Sequence, residues 1–268
     1  LLFTAYPLVR AFLMSFYEDY NMISGEYSRI GLGNYKDLFG DKDFTKALRN
    51  TSIYVVFVVP CSIALSLLIA VLLNSNIKFR GLFQTVFFLP YVTSVIAIGL
   101  VWSWIFNSNY GLLNYILSWF GIAKVQWLNK PKYALPSLII FSVWKSMAFD
   151  ILIFLAGLQT IPKDLYNAAR VDSTPRWRVF WKITVPGIAP MISYAFIMGF
   201  ISAFKVYNEV FSLWSGKAGP ANSAITVVYY IYDKFYNSHN YGLASAAAVI
   251  LFLIILVLTV VQRMTEAA

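Results

Sequence analysis

Long runs free of Asp, Glu, Lys and Arg set the pattern of this chain. They cover residues 50–77, 81–123, 183–204 and 235–262, and a further run over 133–158 is interrupted only by Lys145 and Asp150. The chain also opens apolar over 1–17, with Arg10 inside. A helix that crosses a bilayer needs about 20 apolar residues. The run 81–123 is too long for one helix, and Asn107-Ser108-Asn109-Tyr110-Gly111 forms a turn cluster that divides it. The pattern therefore predicts six spans, at about 1–17, 51–74, 82–106, 134–158, 184–207 and 241–262. The runs are too long for sheet strands and lack the two-residue alternation of a membrane barrel. Helices are the other way to satisfy backbone groups in lipid, so the expected fold is an all-α, polytopic membrane protein. The opening run lacks a basic start and a small-residue cleavage site, so it reads as a spanning helix whose true N-terminus lies upstream. No repeat or separate soluble domain interrupts 1–268, which reads as a single transmembrane domain.

Composition sharpens this picture. Hydrophobic residues make up 59% of the 268 and charged residues 12%, against about 45–50% and ~25% in soluble domains. Mean hydropathy is +0.66. Too little charge is available to cover a water-facing surface, and disorder needs the opposite composition. The net charge of +9 would point to nucleic acid in a soluble chain. Here basic loops on the inner side explain it, and no nucleic-acid partner is expected. The loops 75–81, 159–183 and 263–268 carry Lys78, Arg80, Lys163, Arg170, Arg176, Arg178, Lys182 and Arg263. The loops 18–50, 107–133 and 208–240 hold ten Lys and Arg in more than twice the length, with most of the acidic residues. The first set is thus cytoplasmic, with both termini inside. Trp102 and Trp104 outside, and Trp177 and Trp181 inside, suit an aromatic belt.

Several chemistries are missing. Gly216-Lys217 is followed by Ala218 and has no glycine at the offset a Walker A loop needs, so no P-loop ATP site is present. One cysteine, Cys61, and one histidine, His239, supply no metal-ligand set and read as structural or incidental. No nucleophile motif stands out. The chain reads as a non-enzyme without a cofactor of its own. Asn50-Thr51-Ser52 matches a glycosylation pattern by chance. Pro60, Pro90, Pro186 and Pro190 lie in or at spans, where each frees a carbonyl and can kink a helix.

The loop 159–186 is the most informative segment. Pro162 fits the first turn of a helix and Asp164 suits its dipole. Leu165, Ala168, Ala169 and Asp172 recur at three-to-four spacing, which predicts a short helix with a narrow small-residue face. Asp172-Ser173-Thr174-Pro175 is a turn, and a short basic-aromatic helix over 176–182 leads into the fifth span. Two readings fit. One is an amphipathic connector lying at lipid headgroups. The other is a helix offered to the groove of a soluble partner, with Ala168 and Ala169 allowing close approach.

The frame Asn167-Ala168-Ala169, three residues, Ser173, nine residues, Ile183-Thr184-Val185-Pro186 resembles the cytoplasmic signature of permease subunits of bacterial binding-protein-dependent ABC importers. In that family the frame reads Glu-Ala-Ala, then Gly, then Ile-x-Leu-Pro. The spacing matches throughout. Asn, Ser and Val replace Glu, Gly and Leu, which removes a charge and a flexible turn. Leu155-Ala156-Gly157-Leu158-Gln159-Thr160-Ile161-Pro162, Ala168-Ala169-Arg170-Val171-Asp172 and Arg176-Trp177 look like the sugar-importer branch. So do Gly33-Asn34-Tyr35, Phe44, Ala47-Leu48 and Asn50-Thr51 near the start.

The resemblance implies a six-helix permease in the bacterial inner membrane that carries a sugar or oligosaccharide. A second, homologous permease would share the pathway, two ATPase subunits would bind ATP and Mg, and an extracytoplasmic solute-binding protein would deliver substrate. The cytoplasmic helix between the fourth and fifth spans would couple to an ATPase through Lys163, Asp164, Leu165, Tyr166, Asn167, Ala168, Ala169, Arg170, Val171, Asp172 and Ser173.

Charges within spans mark cavities or partners. Trp144, Lys145 and Asp150 in the fourth span, and Phe204, Tyr207, Asn208 and Glu209 at the outer end of the fifth, are the candidate pathway and substrate residues. Lys205 and Glu209, four apart, are expected on one helix face as an interfacial ion pair. Arg10 is expected to snorkel to headgroups. Three rivals remain at this stage: the same architecture carrying glycerol-phosphate or a polyol, an ion-coupled secondary transporter relying on Asp150, and a membrane scaffold.

Overall fold

Asp41 begins the first long helix. Its carboxylate accepts from the Asp43 backbone N–H at 2.8 Å, and its carbonyl accepts from Thr45 N at 3.2 Å. The side chain thus takes one of the orphan donors of a helix start. From there α3 of the computed structural model runs unbroken over Lys42–Asn74, 33 residues with Pro60 inside. At 1.5 Å per residue that is ~50 Å, well beyond a ~30 Å hydrocarbon layer. The structure describes residues 2–22, 24–75 and 78–267. Leu1 of the first predicted span, Asn76 and Ile77 of the first inner loop, and the terminal Ala268 lie outside the described residues.

The remaining helices follow in order. α1 is Leu2–Met14 and α2 is Gly33–Gly40. α4 (Arg80–Val92) and α5 (Val95–Ile105) come after α3, then α6 (Leu112–Trp119) and α7 (Pro131–Thr160). Next are α8 (Lys163–Val171), α9 (Arg176–Val179), a π-helical turn over Phe180–Thr184, and α10 (Val185–Gly187). α11 (Ala189–Phe204), α12 (Asn208–Leu213), α13 (Val227–Tyr232) and α14 (Tyr241–Ala267) complete the chain. The only strands among the described residues are two-residue β1 (Tyr17–Glu18) and β2 (Arg29–Ile30), paired antiparallel. Glu18 spans this hairpin, pairing with Arg29 and accepting from the Gly33 backbone N–H at 2.9 Å. The Arg29 guanidinium is the main reason the Glu18 carboxyl sits below its ordinary pKa.

Among the described residues three helices are long and apolar enough to cross a membrane: α3, α7 and α14. Two more predicted spans are not straight. The third divides into α4 and α5, bent by 105° at residues 93–94. Thr93 ends α4 in extended backbone, three residues after Pro90, a residue whose ring cannot donate into the ladder. The fifth divides at Ile188, where Arg176–Gly187 and Ala189–Phe204 meet at 68°. Within the first predicted span lies the 13-residue helix α1, with Pro7 inside.

The chain divides into two compact units. The first comprises Leu1–Val55, Val95–Leu138 and Ile201–Ala268. Within it α14 packs on α1, α2 and α13, and α12 packs on α5. The alanines Ala244, Ala246 and Ala247 of α14 are buried and keep that helix face narrow. Gly99 of α5 lies directly against Ser212 of α12, where a side chain would collide. The second unit comprises Val56–Ser94 and Ile139–Phe200. Its core joins Leu67, Ala70 and Leu73 of α3 with Ile151, Phe154, Leu155 and Leu158 of α7, and with Ile161, Ile188 and Ala195.

Apolar side chains also face outward. Leu65, Leu68 and Leu72 of α3, and Phe252, Leu253, Leu256 and Val257 of α14, are exposed at helical spacing. In water such faces would cost roughly 25 cal/mol per Å²; against lipid tails they cost nothing. This outward apolar surface is the one that a chain with so few charges must build.

Candidate functional site

The loop 159–186 folds as its spacing predicts, and more tightly. α8 begins after Pro162, with Asp164 in the first turn and Arg170 in the last. Both charges complement the helix dipole. The end of α8 is a Schellman motif: Ser173 N–H donates to the Arg170 carbonyl at 3.1 Å and Thr174 N–H to the Ala169 carbonyl at 2.9 Å. Ser173 takes the left-handed backbone conformation, φ 50°. Serine in place of the family's glycine predicts the loss of a flexible turn. The turn is present, and serine is held in the conformation that glycine adopts without steric penalty.

The predicted small-residue face splits in two. Leu165, Ala168 and Val171 point outward, with Leu165 49% and Val171 84% exposed. Ala169 is buried, and Tyr166 is half-buried against the core of the second unit. Ala168 and Ala169 therefore do not share a contact surface: adjacent helix positions are about 100° apart. Lys163, Asp164, Asn167, Arg170, Asp172 and the turn residue Ser173 are exposed.

Two contacts tie α8 and the end of α7 to the base of the fifth predicted span. The Tyr166 hydroxyl and the Thr184 hydroxyl are 3.2 Å apart in hydrogen-bonding contact. A Cβ on Gly187 would meet Ile161 Cδ1 at 2.7 Å, so Ile161 and the chain at 187 close on each other only because residue 187 has no side chain. The predicted helix over 176–182 is α9 running into the π-helical turn, with Trp177 and Trp181 both exposed.

The candidate pathway residues fall in both units. Trp144, Lys145 and Asp150 belong to the second. Asp150 is buried at 8% exposure. Phe204, Tyr207, Asn208 and Glu209 belong to the first. Phe204 is buried and Asn208 exposed. The expected helical face shared by Lys205 and Glu209 does not form. α11 ends at Phe204, Tyr207 has φ −143°, and a new helix starts at Asn208, so four-residue spacing no longer places the two side chains together. Arg10, expected to reach headgroups, donates to the Tyr20 hydroxyl at 3.1 Å.

Sequence reasoning missed the polar clasp of the first unit. The Asn50 side-chain amide donates to the carbonyls of Ser223 and Ile225, both at 3.0 Å. The neighbouring Thr51 hydroxyl accepts from Val227 N–H at 3.1 Å. Asp41 accepts from the Tyr230 hydroxyl at 2.8 Å and pairs with Lys234 at 3.1 Å. Burial raises the Asp41 carboxyl, but the hydrogen bonds from Tyr230, Lys234 and the Asp43 backbone outweigh it and hold the group below its ordinary pKa. The partners lie more than 170 residues apart in sequence, beyond the reach of any local pattern.

Residues 62–268 match the family model described as binding-protein-dependent transport system inner membrane component. The arabinooligosaccharides transport system permease protein AraP of Halalkalibacterium halodurans is 35% identical over 259 residues, 96% of this chain and 80% of that protein. The lactose transport system permease protein LacF of Rhizobium radiobacter is 33% identical over 266 residues, 97% of this chain and 87% of that one. Among solved structures, a chain of a bacterial alginate ABC transporter in complex with alginate pentasaccharide-bound periplasmic protein has the same fold. Its TM-score is 0.86 at 24% identity, over 99% of this chain and 88% of that chain.

Proposed function

Because the chain belongs to the family of binding-protein-dependent transport system inner membrane components, we propose that it forms, with a second homologous permease, the path by which an ABC importer carries a sugar or oligosaccharide. Relatives above 30% identity that cover nearly the whole chain are permeases named for arabinooligosaccharides and lactose, which supports a saccharide cargo. Two ATPase subunits on the cytoplasmic side bind ATP and Mg and supply the energy, and an extracytoplasmic solute-binding protein delivers the substrate. The chain acts as one permease domain with both termini inside, an orientation supported by the density of Lys and Arg in 159–183.

The observation that carries this reading is the outward face of α8. Leu165, Ala168 and Val171 form an exposed apolar strip on a short helix closed at its C-terminus by a Schellman motif, while its other side is anchored through Ala169 and Tyr166. A helix so fixed moves as part of the segment that leads into the fifth span. An ATPase cleft that closes on Leu165, Ala168 and Val171 shifts Thr184 through Tyr166. Rocking of helix bundles around a fixed site needs a lever of this kind. Trp144, Lys145, Asp150, Phe204, Tyr207, Asn208 and Glu209 are the proposed pathway residues, mixing aromatic faces with hydrogen-bonding groups.

The test is ATP hydrolysis by the co-expressed complex, wild type against Ala168→Glu. Position 168 is exposed, so the chain folds and pairs with the second permease, but a charge on the strip blocks docking. Loss of binding-protein-stimulated hydrolysis with an assembled permease pair is the expected result. Unchanged stimulation would return α8 to a headgroup connector.

A further inference from the structure

Tyr207, Val228, Ile231, Tyr232, Phe235 and Tyr236 line an open groove of about 320 Å³ on the first unit. Its wall is a continuous row of rings. Centroids lie 4.9 Å apart for Tyr207 and Tyr232, 5.0 Å for Tyr232 and Tyr236, and 5.1 Å for Phe235 and Tyr236. Behind them Phe211 and Tyr229 pack on the Tyr207 ring at 5.6 and 6.2 Å. The Tyr229 hydroxyl is turned away, donating to the Gly216 carbonyl at 2.8 Å. Tyr236 stands at the open edge, 62% exposed.

No lining side chain is charged at neutral pH. The two charges in the same segment are engaged elsewhere. Asp233 accepts from the Asn237 side chain at 2.9 Å. Lys234 pairs with Asp41 at 3.1 Å and lies over the Tyr230 ring at 5.1 Å. A charged ligand would lose its hydration here and meet no counter-charge. A wholly apolar ligand would leave the phenol hydroxyls at the wall without a match. A neutral sugar ring suits both features. Its C–H faces cover aromatic surface while its hydroxyls exchange hydrogen bonds with phenols, which join an apolar body to a polar tip. The volume is at the small end of ligand sites, room for about one or two rings of a chain.

We propose that this groove is a stacking subsite for a neutral saccharide, on the outer side of the membrane. The inference rests on the sugar-permease reading above and deepens it: the cargo enters here as an uncharged carbohydrate, not a uronic acid.

The experiment is uptake into proteoliposomes by the complete complex with its binding protein, using radiolabelled arabinobiose, lactose and digalacturonate as probes. Tyr236→Ala is compared with Tyr236→Trp, and with Tyr110→Ala as a surface control. The expected result is uptake of a neutral probe whose kcat/KM falls about tenfold in Tyr236→Ala, the loss of one stacked ring. Tyr236→Trp restores it and Tyr110→Ala leaves it unchanged. Normal kcat/KM in Tyr236→Ala overturns the subsite and leaves the permease reading standing. Uptake of digalacturonate alone overturns the neutral cargo. A photo-crosslinker at position 236 that captures the second permease in the resting complex makes the groove a subunit contact and overturns the subsite. Absence of uptake of any probe by the wild-type complex removes the saccharide reading and this inference with it.

Discussion

Tyr166 and Thr184 join hydroxyls at 3.2 Å across 18 residues of chain, linking the short helix α8 to the π-helical turn that leads into the fifth predicted span. Thr184 is buried at 5% exposure and Tyr166 half-buried, so the bond is partly withdrawn from water. Tyr166→Phe keeps the ring in place and removes the bond, at about 1 kcal/mol. The expected phenotype is partial uncoupling: ATPase subunits still co-purify, while stimulation by the binding protein and uptake both fall. Thr184→Val should give the same phenotype, and the double variant no more than either single one. Additive losses in a double-mutant cycle would show that the two residues act separately.

Ser173 closes α8 with φ 50°, a conformation that costs a side-chain-bearing residue about 1–2 kcal/mol. Ser173→Gly should relieve most of that strain and raise the thermal stability of the assembled complex by a few degrees without changing stimulated hydrolysis. Ser173→Val should lower stability and protease resistance of the loop. A destabilised glycine variant would mean the serine hydroxyl holds the turn.

Asn50 carries two hydrogen bonds that no other residue type of its size can copy in that geometry. Asn50→Ala leaves the Ser223 and Ile225 carbonyls without their donor, a loss of about 1–3 kcal/mol. Hydrogen exchange of backbone amides over 223–230 should speed up, with 163–173 unaffected. Uniform acceleration along the chain would point instead to global destabilisation.

Asp41 sets a pH limit on the clasp it forms with Tyr230 and Lys234. Its native pKa lies below the ordinary value, so the clasp contributes fully above about pH 4 and is lost as pH falls through the depressed native value. Thermal stability of wild type should exceed that of Asp41→Asn at neutral pH, with the gap constant down to about pH 5 and closing below pH 4. The carboxylate is partly exposed, so salt should narrow the gap. A gap that ignores pH would place the effect of the substitution in packing.

Much of this architecture is legible in local pattern, because membrane helices declare themselves by composition. α3 and α14 follow from runs of uncharged residues, and α7 from one broken only by Lys145 and Asp150. The helix α8 follows from Pro162, Asp164 and the spacing of Leu165, Ala168 and Ala169. The breaks inside the third and fifth predicted spans are less legible. Pro60 stays within a continuous α3, whereas the bend after Pro90 reaches 105°. A proline permits a kink, and packing decides whether one forms. The same holds at Phe204, where α11 stops in a run that continued apolar pattern would carry to Tyr207.

The order of residues alone dictates that this chain is a membrane protein built of apolar helices and that its loop 159–186 carries a short helix. Both depend on properties summed over neighbours in the chain: hydrophobic length and helical period. Packing was needed to turn Ala168 outward while burying Ala169. It also set Asn50 on the carbonyls of Ser223 and Ile225, and gathered Tyr207, Tyr232 and Tyr236 around one groove. Those arrangements rest on contacts between distant segments, whose partners are fixed only when the helices pack.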